Sequence, residues 1–194
     1  MAGIVLLVIG GFAARIDDRN HGKVQLDRLL TTRVAEETGA VEAYFERARA
    51  IVLLMSRNPS IVQTVNDARA DAGAIAALSY LQKLYPDSIG ETCIIRRSGE
   101  ELARVVHGNP AVAADLSPDE SSNSFFGPTF AQGKGIVRQA SPYISPDTGE
   151  WVVSSSTIVA TPSVTALGIV HFEVTVDSFR SSLASRDSAA SGML

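Results

Sequence analysis

The sequence predicts an α+β domain, in which a long N-terminal helix precedes a five-stranded antiparallel sheet. Apolar residues recur at steps of three or four from Val24 to about Arg57, which is the spacing of one helix face. After residue 88 the pattern changes to short extended runs separated by turn residues. These runs follow one another directly, which favours an antiparallel sheet with the helices gathered at one end.

Composition and charge limit the classes of function. The chain has 194 residues, of which 45% are hydrophobic, as in a single folded domain. A net charge of −4 gives no basic surface for nucleic acid. Cys93 is the single cysteine, which excludes an internal disulfide and any multi-cysteine zinc site. A buried, inert thiol is expected.

The beginning of the chain has two interpretations. Ile4 to Ala14 is almost wholly apolar and is followed by charged residues, yet a helix that spans a bilayer needs about 20 apolar residues. We favour the outer half of a transmembrane helix, with residues 1–16 as a truncated membrane-anchor remnant. The alternative is a helix buried against a partner or the core.

Residues 17–60 are expected to hold the long helix. The uninterrupted stretch from Val24 is about 50 Å long, since a helix rises about 1.5 Å per residue. A compact domain of this size does not need such a rod. Its apolar stripe from Leu26 to Met55 is therefore a candidate homodimer seam. Asn58 and Pro59 end the helix.

Two short helices are expected next. Ser60 can cap a helix from Ile61 to about Arg69, and Asp71 can cap another from Ala72 to Leu84. Short polar side chains suit these positions because they accept hydrogen bonds from the free backbone N–H groups of a first turn.

The five strands fall in two hairpins and a last single run. The first hairpin joins Thr92–Arg97 to Glu101–His107 across a Ser-Gly turn. The central hairpin extends from Gly135 to Thr157, and its turn contains proline and glycine. Leu167 to Val176 is the last strand, and Asp177 to Ala184 is expected to form a short exit helix.

The segment 108–131 between the hairpins is expected to be mostly loop. Ser117 and Pro118, followed by Glu120, have the pattern of a capped helical start. Phe125, Phe126 and Phe130 stand among small polar residues. These aromatic side chains either pack plainly or cover a pocket.

The last strand indicates where such a pocket would lie. Side chains alternate along a strand, so His171 and Glu173 share one face while Phe172 and Val174 share the other. We expect the apolar face to meet the helices. The polar face is either solvated or is the floor of a pocket roofed by segment 108–131.

Catalytic and metal-binding signatures are absent from the sequence. It holds no nucleophile elbow, P-loop or H-E-x-x-H motif. His21, His107 and His171 lack the close spacing of metal ligands. The chain is therefore predicted not to be an enzyme, and no cofactor or metal is expected.

Two motifs resemble those of a known family. Residues 141–150, SPYISPDTGE, resemble the P-Y-x-x-x-x-T-G-E turn of Cache domains, and Gly168 to Val174 resembles their closing strand. Cache domains are PAS-like extracytoplasmic sensors of bacterial chemoreceptors, histidine kinases and diguanylate cyclases. The resemblance implies a Cache sensor domain over residues 61–184, a linker or tail at 185–194, and membrane attachment through flanking helices.

The resemblance also implies a ligand and its site. A small polar molecule is expected to bind in the periplasm or outside the cell, with occupancy relayed through the long helix. A ligand-free dimerisation module is the alternative. The predicted ligand-binding residues are Tyr143, Glu173, Phe126, Phe125, Arg138 and Trp151. Glu120 to Ser124 lacks the tyrosine and arginine of the amino-acid-binding subset, so the ligand class stays open.

Overall fold

The computed structural model describes residues 2–85, 88–161 and 166–181, with side chains from residue 23 onward. The helices are α1 (Ala2–Met55), α2 (Pro59–Asp67), α3 (Ala72–Leu84) and α4 (Phe126–Gln132), with a 3₁₀ turn at Ala113–Asp115. Residues 176–181 are also helical, where the exit helix was predicted. The strands are β1 (Ile89–Arg96), β2 (Glu101–Val106), β3 (Asn109–Pro110), β4 (Val137–Gln139), β5 (Tyr143–Ile144), β6 (Trp151–Val159) and β7 (Gly168–Thr175).

The chain divides into two compact units, residues 1–43 and residues 44–194. The first consists of α1 residues, and the second contains the end of α1, the other helices and the sheet. Within the described part of the chain, no helix is both long and apolar enough to cross a membrane. The side chains of the predicted anchor remnant 1–16, and the whole of the predicted tail 185–194, lie outside the described residues.

The strands form one antiparallel sheet in the order β3-β2-β1-β7-β6-β4, and β5 also pairs with β6. The predicted α+β class and long N-terminal helix are confirmed. All five predicted strands are present as β1, β2, β4, β6 and β7. The two-residue strands β3 and β5 extend the described sheet to seven strands. The predicted first run of the central hairpin is split into β4 and β5, which both pair with β6.

One face of the sheet packs against the helices. Phe172 and Val174 of β7 join Val52 of α1, Ile61 of α2 and Leu78 of α3 in the main hydrophobic core. The apolar alternation of the last strand therefore faces the helices, as the sequence predicted. Burial of these side chains leaves the opposite face of β7, which carries His171 and Glu173, available for a site.

The two short helices differ in their caps. Asp71 caps α3 as predicted, and its carboxylate accepts a hydrogen bond from the Gly73 N–H. The predicted cap of α2 is wrong by two residues, because Asn58 is the N-cap and accepts from the Ser60 N–H. Pro59 then occupies the first turn, where its missing N–H costs nothing.

The helical start predicted at Ser117 to Glu120 is wrong. Those residues have no helix, and α4 begins later, at Phe126. The Ser117 N–H donates to the Glu101 carboxylate, and the Glu120 N–H donates to the Gly99 carbonyl. These two bonds attach the segment to the first hairpin, so its backbone groups have partners without a helical turn.

Gly168 allows the close approach of β7 to β1, which gives the first prediction. A Cβ there would lie 2.3 Å from the Ile95 carbonyl oxygen and 2.8 Å from Val65 Cγ1. Gly168→Ala should therefore lower the free energy of unfolding by about 2 kcal/mol, as overpacked cores do. Urea denaturation measures this. The control is Gly39→Ala, where the space is open. Equal stability of wild type and Gly168→Ala would contradict this packing.

Candidate functional site

The polar face of the sheet is built from cross-strand pairs. Glu91 of β1 lies opposite Glu173 of β7, which lies opposite Ser154 of β6. In the next row, Cys93 lies opposite His171. Paired residues of antiparallel strands point to the same side. The sheet register therefore places two carboxylates next to each other on this face.

The end of segment 108–131, which includes the start of α4, covers this face with aromatic rings. Phe125 stacks on His171, with 3.8 Å between ring centroids and 25° between ring planes. Phe126 contacts Phe130 edge to face at 5.0 Å. The small core beneath this cover contains Cys93, Ile95, Ile169, Phe125 and Phe126, with Phe130 packed against it. This arrangement is the roof that the sequence indicated as one of two alternatives.

Tyr143 closes the site from the opposite side. Its strand β5 pairs with β6, with Tyr143 opposite Val152. The Tyr143 hydroxyl donates a hydrogen bond to Glu173 Oε1 and lies 3.4 Å from His171 Nε2. His171 Nε2 is 3.7 Å from Glu173 Oε1. The phenol therefore joins the two polar residues of β7.

A cavity of about 310 Å³ lies between this face and its cover. Its volume is within the range of sites for small molecules, roughly 300–1,000 Å³. The carboxylates that line it are Glu91, Glu101, Glu120, Asp147 and Glu173. Cys93, Phe125, Tyr143 and His171 also line it. The cavity thus combines aromatic walls with an acidic lining.

The adjacent carboxyl groups of Glu91 and Glu173 have opposite pKa shifts. Burial, together with the charges of Glu173 and Asp147, raises the pKa of Glu91 from 4.5 to about 10. Burial also acts to raise the pKa of Glu173, but hydrogen bonds and charge interaction with His171, and the Tyr143 hydroxyl, lower it overall. At neutral pH Glu91 is therefore protonated and Glu173 ionised, because a second negative charge beside the first is unfavourable.

Burial also raises the pKa values of three other groups that line the cavity. Burial raises the pKa of Glu101 to about 7, against the lowering effects of the Ser117 N–H and Arg104. Burial, and then the charge of Glu173, raises the pKa of Tyr143 well above its usual value. Burial raises the pKa of the Cys93 thiol well above its usual value. The thiol is therefore protonated and a poor nucleophile.

Several buried polar atoms that face the cavity have no hydrogen-bond partner within the described chain. They are Glu91 Oε2, Glu173 Oε2 and His171 Nδ1. Glu91 is 5% exposed and Glu173 is 2% exposed. A buried polar group without a partner costs about 1–3 kcal/mol. Unpartnered atoms at a cavity wall are explained if a bound molecule supplies their hydrogen-bond partners.

The predicted site residues divide into two groups. Tyr143, Glu173 and Phe125 line the cavity together. Phe126 is buried in the small core behind Phe125, and Trp151 is exposed at the start of β6. Neither lines the cavity, and neither does Arg138. Arg138 lies opposite Ser156 on β6, which lies opposite His171, so it shares the polar face two strands away.

Sequence reasoning missed Glu91, Glu101 and Asp147, and it placed Cys93 simply in a core. Glu91 is an acid within the buried strand β1, which is a signal that could have been used because buried carboxylates are rare. Glu91, Cys93 and Glu101 each offer one ligand atom, and these three atoms lie within 4.8 Å of one another. They are close enough to surround a cation.

The Glu91 carboxyl gives the second prediction. Its pKa is higher in the folded than in the unfolded chain, so the stability it contributes is complete below about pH 4.5 and is lost as pH rises toward 10. Glu91→Gln mimics the protonated form. It should raise the free energy of unfolding at pH 8 by on the order of 2 kcal/mol and change little at pH 4.

Denaturant unfolding of both proteins at the two pH values measures this difference. Glu100→Gln is the matched control, because Glu100 is an exposed hairpin residue paired with Arg96 and should show no comparable gain. A Glu91→Gln variant less stable than wild type at pH 8 would contradict the protonated state of Glu91.

Comparison with known proteins shows that the fold of this chain is a recurrent one. No protein-family model and no curated protein matches the sequence. Among solved structures, the ligand-binding domain of the Campylobacter jejuni chemoreceptor Tlp3, in complex with 4-methylisoleucine, is similar with a TM-score of 0.60 and 11% identity, covering 76% of this chain and 57% of that one. The sensor domain of the Vibrio cholerae histidine kinase DctB has a TM-score of 0.60 and 16% identity, covering 84% and 58%.

A third similar structure is the ligand-binding domain of the Pseudomonas fluorescens chemoreceptor CtaA in complex with L-alanine. Its TM-score is 0.59 with 13% identity, covering 82% of this chain and 64% of that one. The chain thus spans less than two thirds of the length of each of these three domains. At such identities the likeness concerns the fold. The chain has the fold of chemoreceptor and histidine-kinase sensor domains, and the predicted Cache, PAS-like fold is confirmed.

Proposed function

We propose that this chain is the extracytoplasmic ligand-sensing domain of a bacterial transmembrane signalling receptor. The receptor would be a diguanylate cyclase, a histidine kinase or a chemoreceptor, and the domain itself would bind rather than catalyse. The observation that carries the proposal is the roofed cavity of about 310 Å³ with unpartnered buried polar atoms on its floor. A small polar molecule would satisfy those atoms.

The fold and the cavity support the same function. Similar solved structures hold 4-methylisoleucine in Tlp3 and L-alanine in CtaA. Here the lining residues Tyr143, Glu173 and Phe125 are the proposed ligand contacts, and Glu91 joins them. Phe126 would act by supporting Phe125 from behind. The apolar stretch at residues 4–14 is proposed as part of a membrane anchor.

Strand β7 connects the cavity to the final helical segment and to α1 through a series of contacts. Two residues after Glu173, the Thr175 hydroxyl accepts from the Ser178 N–H at the start of the final helical segment. The Ser178 hydroxyl is 2.9 Å from the Tyr44 hydroxyl of α1, and Phe179 packs on Tyr44 at 5.5 Å. A ligand that moves β7 would therefore bias α1 and the exit helix together.

The third prediction tests ligand binding. A compound present at about 100 times its Kd adds about 2.7 kcal/mol to the free energy of unfolding, so a thermal-shift panel of small polar metabolites should yield at least one stabilising compound. Tyr143→Phe and Glu173→Gln should weaken that stabilisation. Tyr80→Phe, at an exposed tyrosine of α3, should keep it.

Fluorescence gives a second readout of occupancy. Trp151 is the single tryptophan and lies opposite Ile144, a cavity-lining residue. The stabilising compound should change its emission in the wild type and less so in Tyr143→Phe. The proposal fails if no compound of the panel stabilises the domain, or if both cavity variants respond like wild type.

A ligand-free dimerisation module is the second candidate function, and the surface of α1 favours it. Exposed apolar side chains follow one another at helical spacing in the first unit. They are Leu26, Leu29, Leu30 and Val34. Monomeric proteins rarely expose such continuous apolar surface, so a second copy of the chain is a suitable partner.

The fourth prediction concerns this helix face. Leu30→Asp should shift a dimer to monomer, because a charge would be buried at the seam. Thr32→Asp, an exposed position nearby on the helix, should leave the assembly unchanged. Sedimentation velocity distinguishes the two species. A wild-type monomer, or a dimer insensitive to Leu30→Asp, would exclude the seam.

A further inference from the structure

We infer that the cavity selects a small organic dication, a molecule with two protonated amino groups and no carboxylate, and that Glu91 determines this choice. The inference rests on the proposed function, since it names the ligand class of the same cavity. It differs from the amino acids held by Tlp3 and CtaA. Four observations carry it.

The first observation is the charge of the lining. Five carboxyl groups from five parts of the chain, which are β1, β2, the segment before α4, the turn after β5 and β7, converge on a space of about 310 Å³. No lysine or arginine is among the described residues that line it. An acidic cavity with low-dielectric walls concentrates cations and repels anions. A ligand with two positive charges suits this lining better than one with a net charge of zero.

The second observation is the pair of unpartnered oxygens on the floor. Glu91 Oε2 and Glu173 Oε2 are buried without a hydrogen-bond donor among the described residues. Their residues lie opposite each other on adjacent strands. An ammonium group has three N–H donors, so one such group can serve both oxygens once Glu91 has lost its proton. A ligand carboxylate could accept the proton that Glu91 holds, but it has no donor for Glu173 Oε2 and would leave that oxygen unsatisfied.

The third observation is that both Nη groups of Arg104 are already engaged, although its buried Nε has no partner among the described residues. Arg104 donates to the Asp147 carboxylate and to the Asp115 carbonyl, and its Nη1 lies 3.7 Å from Glu101 Oε2. Its guanidinium is therefore neutralised by two carboxylates that line the cavity. A ligand carboxylate would have to compete with both. Arg138 does not line the cavity.

The fourth observation concerns the walls. The rings of Phe125 and Tyr143 line the cavity beside the carboxylates. Aromatic faces attract organic ammonium groups, and they suit the carbon chain between two such groups. A bare metal ion would contact only the three ligand atoms of Glu91, Cys93 and Glu101. It would leave most of the space and the aromatic walls unused.

Binding of a cation should release a proton from Glu91. The groups that face it are Glu173 and His171 on β7, Tyr143 on β5, Asp147 after β5, Glu101 and Arg104 on β2, and Cys93 on its own strand. Burial raises the pKa of Glu91 to about 10, so the free protein holds this proton at neutral pH. Glu101, whose pKa is raised to about 7, is mostly ionised at pH 8, so from about that pH upward Glu91 supplies most of the released proton and affinity should rise by about tenfold per pH unit.

Isothermal titration calorimetry of the whole chain tests the inference. The probes are 1,4-diaminobutane, n-butylamine, L-alanine, succinate and ZnCl₂, at pH 6, 7 and 8 and in two buffers of different ionisation enthalpy. We expect 1,4-diaminobutane to bind most tightly and, at pH 8, with release of about one proton. Glu91→Gln should lower its affinity at least tenfold and remove most of the proton release at pH 8. Glu100→Gln, an exposed acid outside the cavity, should do neither.

The other outcomes overturn the inference in distinguishable ways. Binding of L-alanine or succinate without 1,4-diaminobutane contradicts the ligand class, while the sensing function stands. Binding of zinc that is lost in Cys93→Ser assigns the cluster to a metal ion and contradicts the organic dication. If none of the five probes binds, the inference is wrong, and the broader thermal-shift panel decides the sensing function separately. Unchanged affinity in Glu91→Gln removes Glu91 as the determinant.

Discussion

The structure depends on two carboxyl groups that face each other across the central strands of the sheet. The register of β1 and β7 places Glu91 opposite Glu173, and both side chains are buried. Two negative charges cannot share such a position without large cost. Glu173 keeps its charge because Tyr143 and His171 interact with it, and Glu91 keeps its proton. The site is therefore polarised before any molecule enters it.

Packing on both faces of β7 holds Glu173 in its position opposite Glu91. Phe172 and Val174 secure β7 to the helical core from the opposite face, so the strand cannot rotate its carboxylate into solvent. Phe125 covers the His171 ring on the other side. β7 continues directly into the helical segment 176–181, in which the Ser178 hydroxyl contacts the Tyr44 hydroxyl.

Local sequence patterns predicted the helices and strands well. The site residues that these patterns missed depend on pairing between distant parts of the chain. The alternation of β7 is local, so the sequence predicted its polar face, whereas the role of Tyr143 was expected only from the resemblance to Cache domains. Glu91 became a site residue only through its pairing with Glu173, about 80 positions later in the sequence. The helix expected at Ser117 was displaced by bonds to Glu101 and Gly99, which local capping rules do not contain.

The protonation of the glutamate pair tests this account most directly. Carboxyl carbons of ¹³C-labelled glutamate can be followed by NMR from pH 3 to pH 10, with the two signals assigned by the variants Glu91→Gln and Glu173→Gln. At pH 7 we expect Glu173 to be ionised, with a pKa below its usual value, while Glu91 still carries its proton. Two ionised carboxylates at pH 7 would contradict it.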